Sequence, residues 1–201
     1  MAVSLRERNK ADKRRRILAA ARRLFTERGY DGTTTRAIAQ AAGVGTGTVY
    51  AYAETKLDLL FLLFDSEISA VIEARFTCLP DGPLLDRLVH PFLGFITHYA
   101  STPDLAWVMI KEMPFYAGSA ESRYIELHTA FFARVAAVVA AEQQAGRVRP
   151  SVDPLEAALA LFALYGGVVL TWARSGSWSV EAGEALLTRA FAVAVEGLTT
   201  R

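Results

Sequence analysis

The most constraining feature of the chain is one short segment, Thr35-Arg-Ala-Ile-Ala-Gln-Ala-Ala-Gly-Val-Gly-Thr-Gly-Thr-Val-Tyr-Ala-Tyr52. Two short helices can cross steeply only where a small residue lies at their contact, and Ala39 fills that place. Gly43, four residues on, can take the positive φ that a tight interhelical turn needs. Ile38, Ala42, Val44 and Val49 then make an apolar underside that seats the second helix on the first. A small residue, a glycine and an apolar residue at 39, 43 and 49 fit a helix-turn-helix, a pattern that an ordinary helical hairpin only occasionally imitates. The outer face of the second helix is left with Thr46, Thr48, Tyr50 and Tyr52. Hydroxyls near a helix N-terminus suit phosphate oxygens, because unpaired N–H groups and the helix dipole favour anions there. Lys56, at the start of the next helix, adds a positive charge.

Charge supports a polyanionic partner only when the chain is divided. The net charge of +1 is uninformative, yet residues 1–60 hold 12 Lys and Arg against 6 Asp and Glu, while the remainder holds 10 against 15. Positive charge gathered at one end suits nucleic acid, since neutralised phosphates release condensed counterions. A solvated, charged first helix accounts for the same numbers. Arg6, Arg8, Lys10, Lys13, Arg14, Arg15 and Arg16 precede the first apolar-periodic stretch, as a disordered arm that either touches DNA or is merely solvated.

Helical periodicity runs through the whole chain, and no period-two alternation competes with it. Ile17, Leu18, Ala21, Leu24 and Phe25 place a first helix at about Asp12–Arg28, stopped by Gly29. Short helices follow at 35–42, capped within Thr33-Thr34-Thr35, and at 46–52. Longer ones are predicted at 56–76, 84–100, 103–113, 120–144, 154–174 and 180–198, separated by proline- and glycine-bearing turns. The expected fold is all-α with about nine helices, a three-helix DNA-binding head at 1–60 and a helical ligand-binding and dimerisation domain at 61–201.

The stretch from about Arg16 to Leu60 resembles the tetracycline-repressor (TetR) family of regulators. The resemblance rests on Ile17-Leu-Ala-Ala-Ala-Arg-Arg-Leu-Phe25, Gly29-Tyr30, Thr33-Thr-Thr-Arg-Ala-Ile-Ala39, Ala42-Gly-Val44, Gly47-Thr-Val-Tyr50, and Lys56 followed by Leu59-Leu60. Under a quarter of the chain is covered; the rest agrees in length, helix count and the Gly146-Arg-Val-Arg-Pro150 turn. The resemblance implies a homodimeric repressor whose second and third helices sit on the major groove of a near-palindromic double-stranded operator. It implies phosphate contacts from Thr35, Thr48, Tyr50, Tyr52 and Lys56, and places Arg36 and Thr46 near base edges. Two residues depart from the family pattern: Gly45 stands at a usual serine, and Ala53 at a usual large apolar residue, whose place Phe61 or Phe64 could fill. The third helix also lacks Asn, Gln or Arg for bidentate base pairing, so Arg36 and Gln40 on the second helix are the better candidates for discrimination.

In the larger domain, aromatic residues interspersed with polar ones can be plain core or the wall of a pocket. The family resemblance favours a cavity among the fourth to seventh helices for a small apolar or aromatic effector. The expected lining is Phe64, Phe95, Tyr99, Trp107, Met113, Tyr124, His128 and Phe131. The last two helices are rich in small and apolar residues and are expected to form a four-helix dimer interface through Leu161, Gly166, Gly167, Leu170, Leu187 and Phe191. Burial within one monomer is the alternative.

No cofactor, metal site or catalytic group is expected. The histidines His90, His98 and His128 are scattered, and Cys78 in its apolar run reads as a buried, inert thiol. A helical enzyme and a DNA-binding dimer without an effector are the rival readings. The charged N-terminus lacks a signal-peptide core, and the 17 uncharged residues from Ala157 to Ala173 suit a protein interface better than a bilayer. A cytoplasmic protein without a membrane partner is expected.

Overall fold

Caps and glycines set the helices of this chain, as a computed structural model describing residues 4–199 shows. Among the described residues there are nine α-helices: α1 (Leu5–Arg28), α2 (Thr35–Ala41), α3 (Thr46–Tyr50), α4 (Lys56–Thr77), α5 (Leu84–Ala100), α6 (Pro103–Glu112), α7 (Glu121–Gln144), α8 (Pro154–Arg174) and α9 (Val180–Leu198). A 3-10 turn, Met113–Phe115, follows α6, and no strand is present among the described residues beyond an isolated Val148–Thr199 bridge. The all-α expectation holds, with one correction at the start. α1 begins seven residues before the expected Asp12, because Ser4 and Glu7 form a capping box: Ser4 Oγ accepts the Glu7 N–H at 3.2 Å and Glu7 accepts the Ser4 N–H at 2.9 Å. Arg6, Arg8 and Lys10 therefore lie on a helix, not on a disordered arm, continuous with Lys13, Arg14, Arg15 and Arg16.

The chain divides into two compact units. The first comprises Met1–Glu67 and Asp104–Tyr124, so it contains the expected head together with α6 and the start of α7. Its core is built from one face of α1 (Ile17, Leu18, Ala21, Leu24, Phe25), Ile38 and Ala39 of α2, Val49 of α3, and Leu59, Leu60 and Phe61 of α4. Ala53 is buried as well.

The second unit comprises Ile68–Pro103 and Ile125–Arg201. Its centre is Phe92, whose ring meets Phe131 and Phe191 edge-on at 4.9 Å each and Tyr165 at 5.3 Å. α9 lies against both α5 and α8. Gly183 makes that approach possible, since a Cβ there would stand 2.6 Å from Ile96 and 3.1 Å from Trp172. Below this core, buried Glu142 accepts hydrogen bonds from Arg87 and from Arg147, the latter at 2.5 and 2.9 Å. Those bonds and the two positive charges hold its carboxyl below the ordinary range despite burial.

Helix periodicity corrects half of the expected dimer surface. Leu161, Leu187 and Phe191 are no more than 1% exposed within the single chain, so they are core. The outward face of α8 is offset from them: Leu155, Leu159, Leu164 and Leu170 are 41–50% exposed, with Gly166 and Gly167 between and open space around both glycines. Cys78 is also corrected: α4 ends at Thr77, and the thiol is exposed in the turn that follows.

Candidate nucleic-acid interface

The α2–α3 pair stands on the geometry that its sequence requires. Thr34 caps α2 by accepting the Ala37 N–H at 3.2 Å. Thr33 is buried, and its hydroxyl donates to the carbonyls of Leu24 and Gly29 at 3.0 and 2.8 Å, fixing the α1–α2 turn. Gly43 takes φ +62°, which places the turn in the left-handed region that side chains disfavour. Arg16 closes the far end of α2: Nε and Nη2 donate to the Ala42 carbonyl at 3.0 and 2.6 Å, and Nη2 also reaches Gly43 O at 2.9 Å. Nothing in the local sequence marks Arg16 for this role, since its partners lie 26 and 27 residues on.

With Ile38, Ala39, Ala42 and Val49 buried beneath, Arg36, Gln40 and Tyr50 are exposed, Tyr50 by 52%. Thr35, Thr46 and Thr48 are half-buried beside them. Gly45 occupies the N-cap of α3 and contributes no side-chain cap. Together these six side chains offer as donors a guanidinium, an amide and four hydroxyls.

Tyr52 and Lys56 are less free than their positions suggest. The Tyr52 hydroxyl donates to the backbone carbonyl of Lys10 at 3.0 Å, so it braces the N-terminal half of α1. A phosphate only accepts, and a phenol has one hydrogen to give; in this arrangement Tyr52 cannot give it to DNA. The Lys56 ammonium donates to the Tyr30 carbonyl at 2.8 Å and stands 4.1 Å from the centre of the Tyr30 ring. An ammonium has three donors, so two remain for a phosphate.

The eight expected effector residues fall into both units. Phe64, Trp107, Met113 and Tyr124 belong to the first: Phe64 is buried, Tyr124 meets Phe61 edge-on at 6.2 Å, and the Lys111 ammonium lies 5.7 Å over Trp107. Met113 opens the 3-10 turn, half-buried. Phe95, Tyr99, His128 and Phe131 belong to the second. Phe95 and Phe131 are 5.0 Å apart in the buried cluster, and half-buried His128 stands edge-on to Phe162 at 5.2 Å.

The family model for bacterial regulatory proteins of the tetR family matches residues 17–63. Among curated proteins, a helix-turn-helix transcriptional repressor of Mycobacterium tuberculosis, Rv1474c, is 33% identical over 144 residues, 71% of this chain and 72% of that protein. The Bacillus subtilis regulator YhgD is 24% identical over 80% of this chain and 84% of its own length. Among solved structures, Thermus thermophilus FadR, a TetR-family repressor in complex with lauroyl-CoA, superposes with a TM-score of 0.75 at 25% identity, covering 94% of this chain and 96% of that one. Bacillus subtilis FadR, in complex with stearoyl-CoA, gives 0.71 at 22% identity over 91% and 98%, a likeness of fold.

Proposed function

The chain belongs to the tetR family of bacterial regulatory proteins, helix-turn-helix regulators of transcription, and from that premise we propose that it is a homodimeric repressor released from a near-palindromic operator by a fatty acyl thioester. One observation carries the DNA reading: a buried apolar underside leaves Arg36, Gln40 and Tyr50 exposed together on the α2–α3 pair. Arg36 and Gln40 read base edges, with Thr46 beside them. Thr35, Thr48, Tyr50 and the remaining Lys56 donors hold phosphates. The test is fluorescence anisotropy with the tightest duplex that the wild-type protein selects from a random pool. Arg36→Ala should relax preference at particular base pairs, and Tyr50→Phe should weaken all duplexes alike; uniform loss from Arg36→Ala would overturn its role.

The effector class is supported by the lauroyl-CoA complex of the 25%-identical T. thermophilus repressor. An alkyl chain also suits a unit whose interior carries Phe92, Phe95, Phe131 and Phe191. Lauroyl-CoA titrated into the protein–operator complex should release DNA, whereas coenzyme A alone should not. By linkage, lauroyl-CoA must bind the operator complex more weakly than free protein by the same factor. Equal affinities would remove the acyl thioester from the proposal.

The second copy is proposed to cover the leucine-rich outward face of α8, where Gly166 and Gly167 permit close approach. α7 and α8 are long and apolar enough in part to cross a membrane, with 22% and 39% of those stretches buried in the single chain. Burial against a second copy is the proposed cover for α8, in a cytoplasmic protein that carries out no catalysis.

A further inference from the structure

The first turn of α4 is tied from two sides. On one side Lys56 holds the Tyr30 carbonyl and ring, at the turn between α1 and α2. On the other lies Asp58, which is 2% exposed. Asp58 and Thr55 form a capping box: Asp58 Oδ2 accepts the Thr55 N–H at 2.8 Å, and Thr55 Oγ1 accepts the Asp58 N–H at 3.0 Å. The second carboxylate oxygen, Oδ1, accepts the hydroxyl of Tyr116, 58 residues further on in the connection between α6 and α7.

That connection is shaped around the bond. The Tyr116 ring stacks on Phe61, one turn along α4 from Asp58, with centroids 3.6 Å apart and planes 13° apart. The Tyr116 oxygen accepts the Ala120 N–H at 3.0 Å, which closes the segment into a loop over α4. Gly118 sits inside this loop, and any Cβ there would fall on Asp58 Oδ1 and on the Tyr116 ring. Burial and the bond to Asp58 push the Tyr116 hydroxyl far up, so it stays a donor. Burial works against the Asp58 charge, but hydrogen bonds from Tyr116, Thr55 and Ser119 outweigh it and hold the carboxyl low.

We infer that Tyr116 is a positioning residue for DNA binding: through Asp58 it fixes the first turn of α4, and through Lys56 and Tyr30 that turn fixes the α1–α2 corner of the reading head. The inference rests on the DNA-binding reading above and adds to it a residue that touches no DNA. Releasing the bond leaves every DNA contact in place but lets the head sample orientations that cannot bind. Apparent affinity then falls by the fraction of competent head, about five- to tenfold for a competent population of 10–20%.

The experiment compares wild type, Tyr116→Phe and Gly118→Ala on the duplex selected by wild type, at a temperature where circular dichroism shows all three folded. Tyr116→Phe keeps the stacked ring and removes the hydroxyl, and with it both the bond to Asp58 and the acceptor for the Ala120 N–H; Gly118→Ala removes no polar group but displaces the loop. Both should weaken the operator five- to tenfold with an unchanged salt slope and unchanged base preference. A merely structural role predicts lower melting temperatures with wild-type affinity in the still-folded protein, and that result would overturn the inference. So would a reduced salt slope, which would make Tyr116 a phosphate ligand. If Tyr116→Phe does not fold, Gly118→Ala decides alone by the same criteria. If wild type selects no duplex, the DNA-binding reading falls and this inference with it; if wild type binds and the variants bind equally well, only this inference falls.

Discussion

α3 and α8 are both half-buried helices, and what each leaves uncovered differs in kind. α3 buries Val49 and shows Tyr50 to solvent, with Thr46 and Thr48 half-covered beside it. α8 buries Ala157, Ala158, Leu161, Tyr165, Val169, Trp172 and Ala173, and still shows Leu155, Leu159, Leu164 and Leu170. A free face of hydroxyls asks for a partner that accepts hydrogen bonds; a free face of leucines asks for one that excludes water. The first face fits the duplex that the family binds; the second fits the second copy of the chain proposed above.

The largest expected effect separates the inward residues of α8 and α9 from the outward ones. Phe191→Glu puts a charge into the Phe92 cluster, where Phe191 is fully buried, and should abolish folding. Leu170→Glu lies on the 46%-exposed outer face and should give a folded monomer. Circular dichroism and sedimentation velocity together distinguish these outcomes. A folded dimer from Leu170→Glu would place the interface elsewhere.

The next effect is specific to the second unit. Glu142→Gln leaves Arg87 and Arg147 without their charge partner and should destabilise this unit, though by less than a fully buried pair would, because Arg147 is largely exposed. The same group gives a pH signature. Its folded-state pKa lies below its ordinary value of 4.5, so it stabilises the fold above pH 4.5 and that contribution disappears as pH falls through the folded value. Chemical denaturation of wild type and Glu142→Gln should converge at low pH. A constant difference across the range would mean the carboxylate charge is not what matters.

The comparison also explains what could be read from the sequence. Most helix ends were legible because their signals are local: Gly29 at φ +72°, Gly43 at +62°, Thr34 on α2, and Asp153-Pro154 opening α8; the start of α1 was missed although Ser4 and Glu7 are just as local a signal. The underside of α3 was legible because threonines and a tyrosine interrupt the apolar residues and mark the outside. α8 carries no such marks. Leu161 and Leu170 look alike in a stretch without charge, so sequence alone could not tell the inward leucine from the outward one. Tyr116 was illegible for another reason: Thr55 and Asp58 announce a cap, but nothing near them announces a donor 58 residues away.

On the DNA side the effects are smaller. Arg36→Ala should cost about 1–3 kcal/mol at the base pairs it reads and little on other duplexes. Measured across single-base variants of the selected operator, the loss should concentrate at one or two positions per half-site. An even loss would turn Arg36 into a phosphate contact.

The smallest expected effect belongs to Tyr52, where the sequence and the folded arrangement suggest different roles. The resemblance to the family makes Tyr52 a phosphate contact; the structure spends its hydroxyl hydrogen on the Lys10 carbonyl. Tyr52→Phe keeps the ring and removes one partly exposed hydrogen bond, so about 0.5–1 kcal/mol of stability should be lost. The loss should be local, seen as faster amide exchange across the first turns of α1, which the Ser4–Glu7 capping box also holds. Operator affinity should then change little, because none of the DNA contacts proposed above is lost. If instead the salt slope drops by about one and exchange in α1 is unchanged, the hydroxyl turns to a phosphate when DNA arrives. In that case the bond to Lys10 belongs to the free protein alone, and α1 must be held by other contacts in the complex.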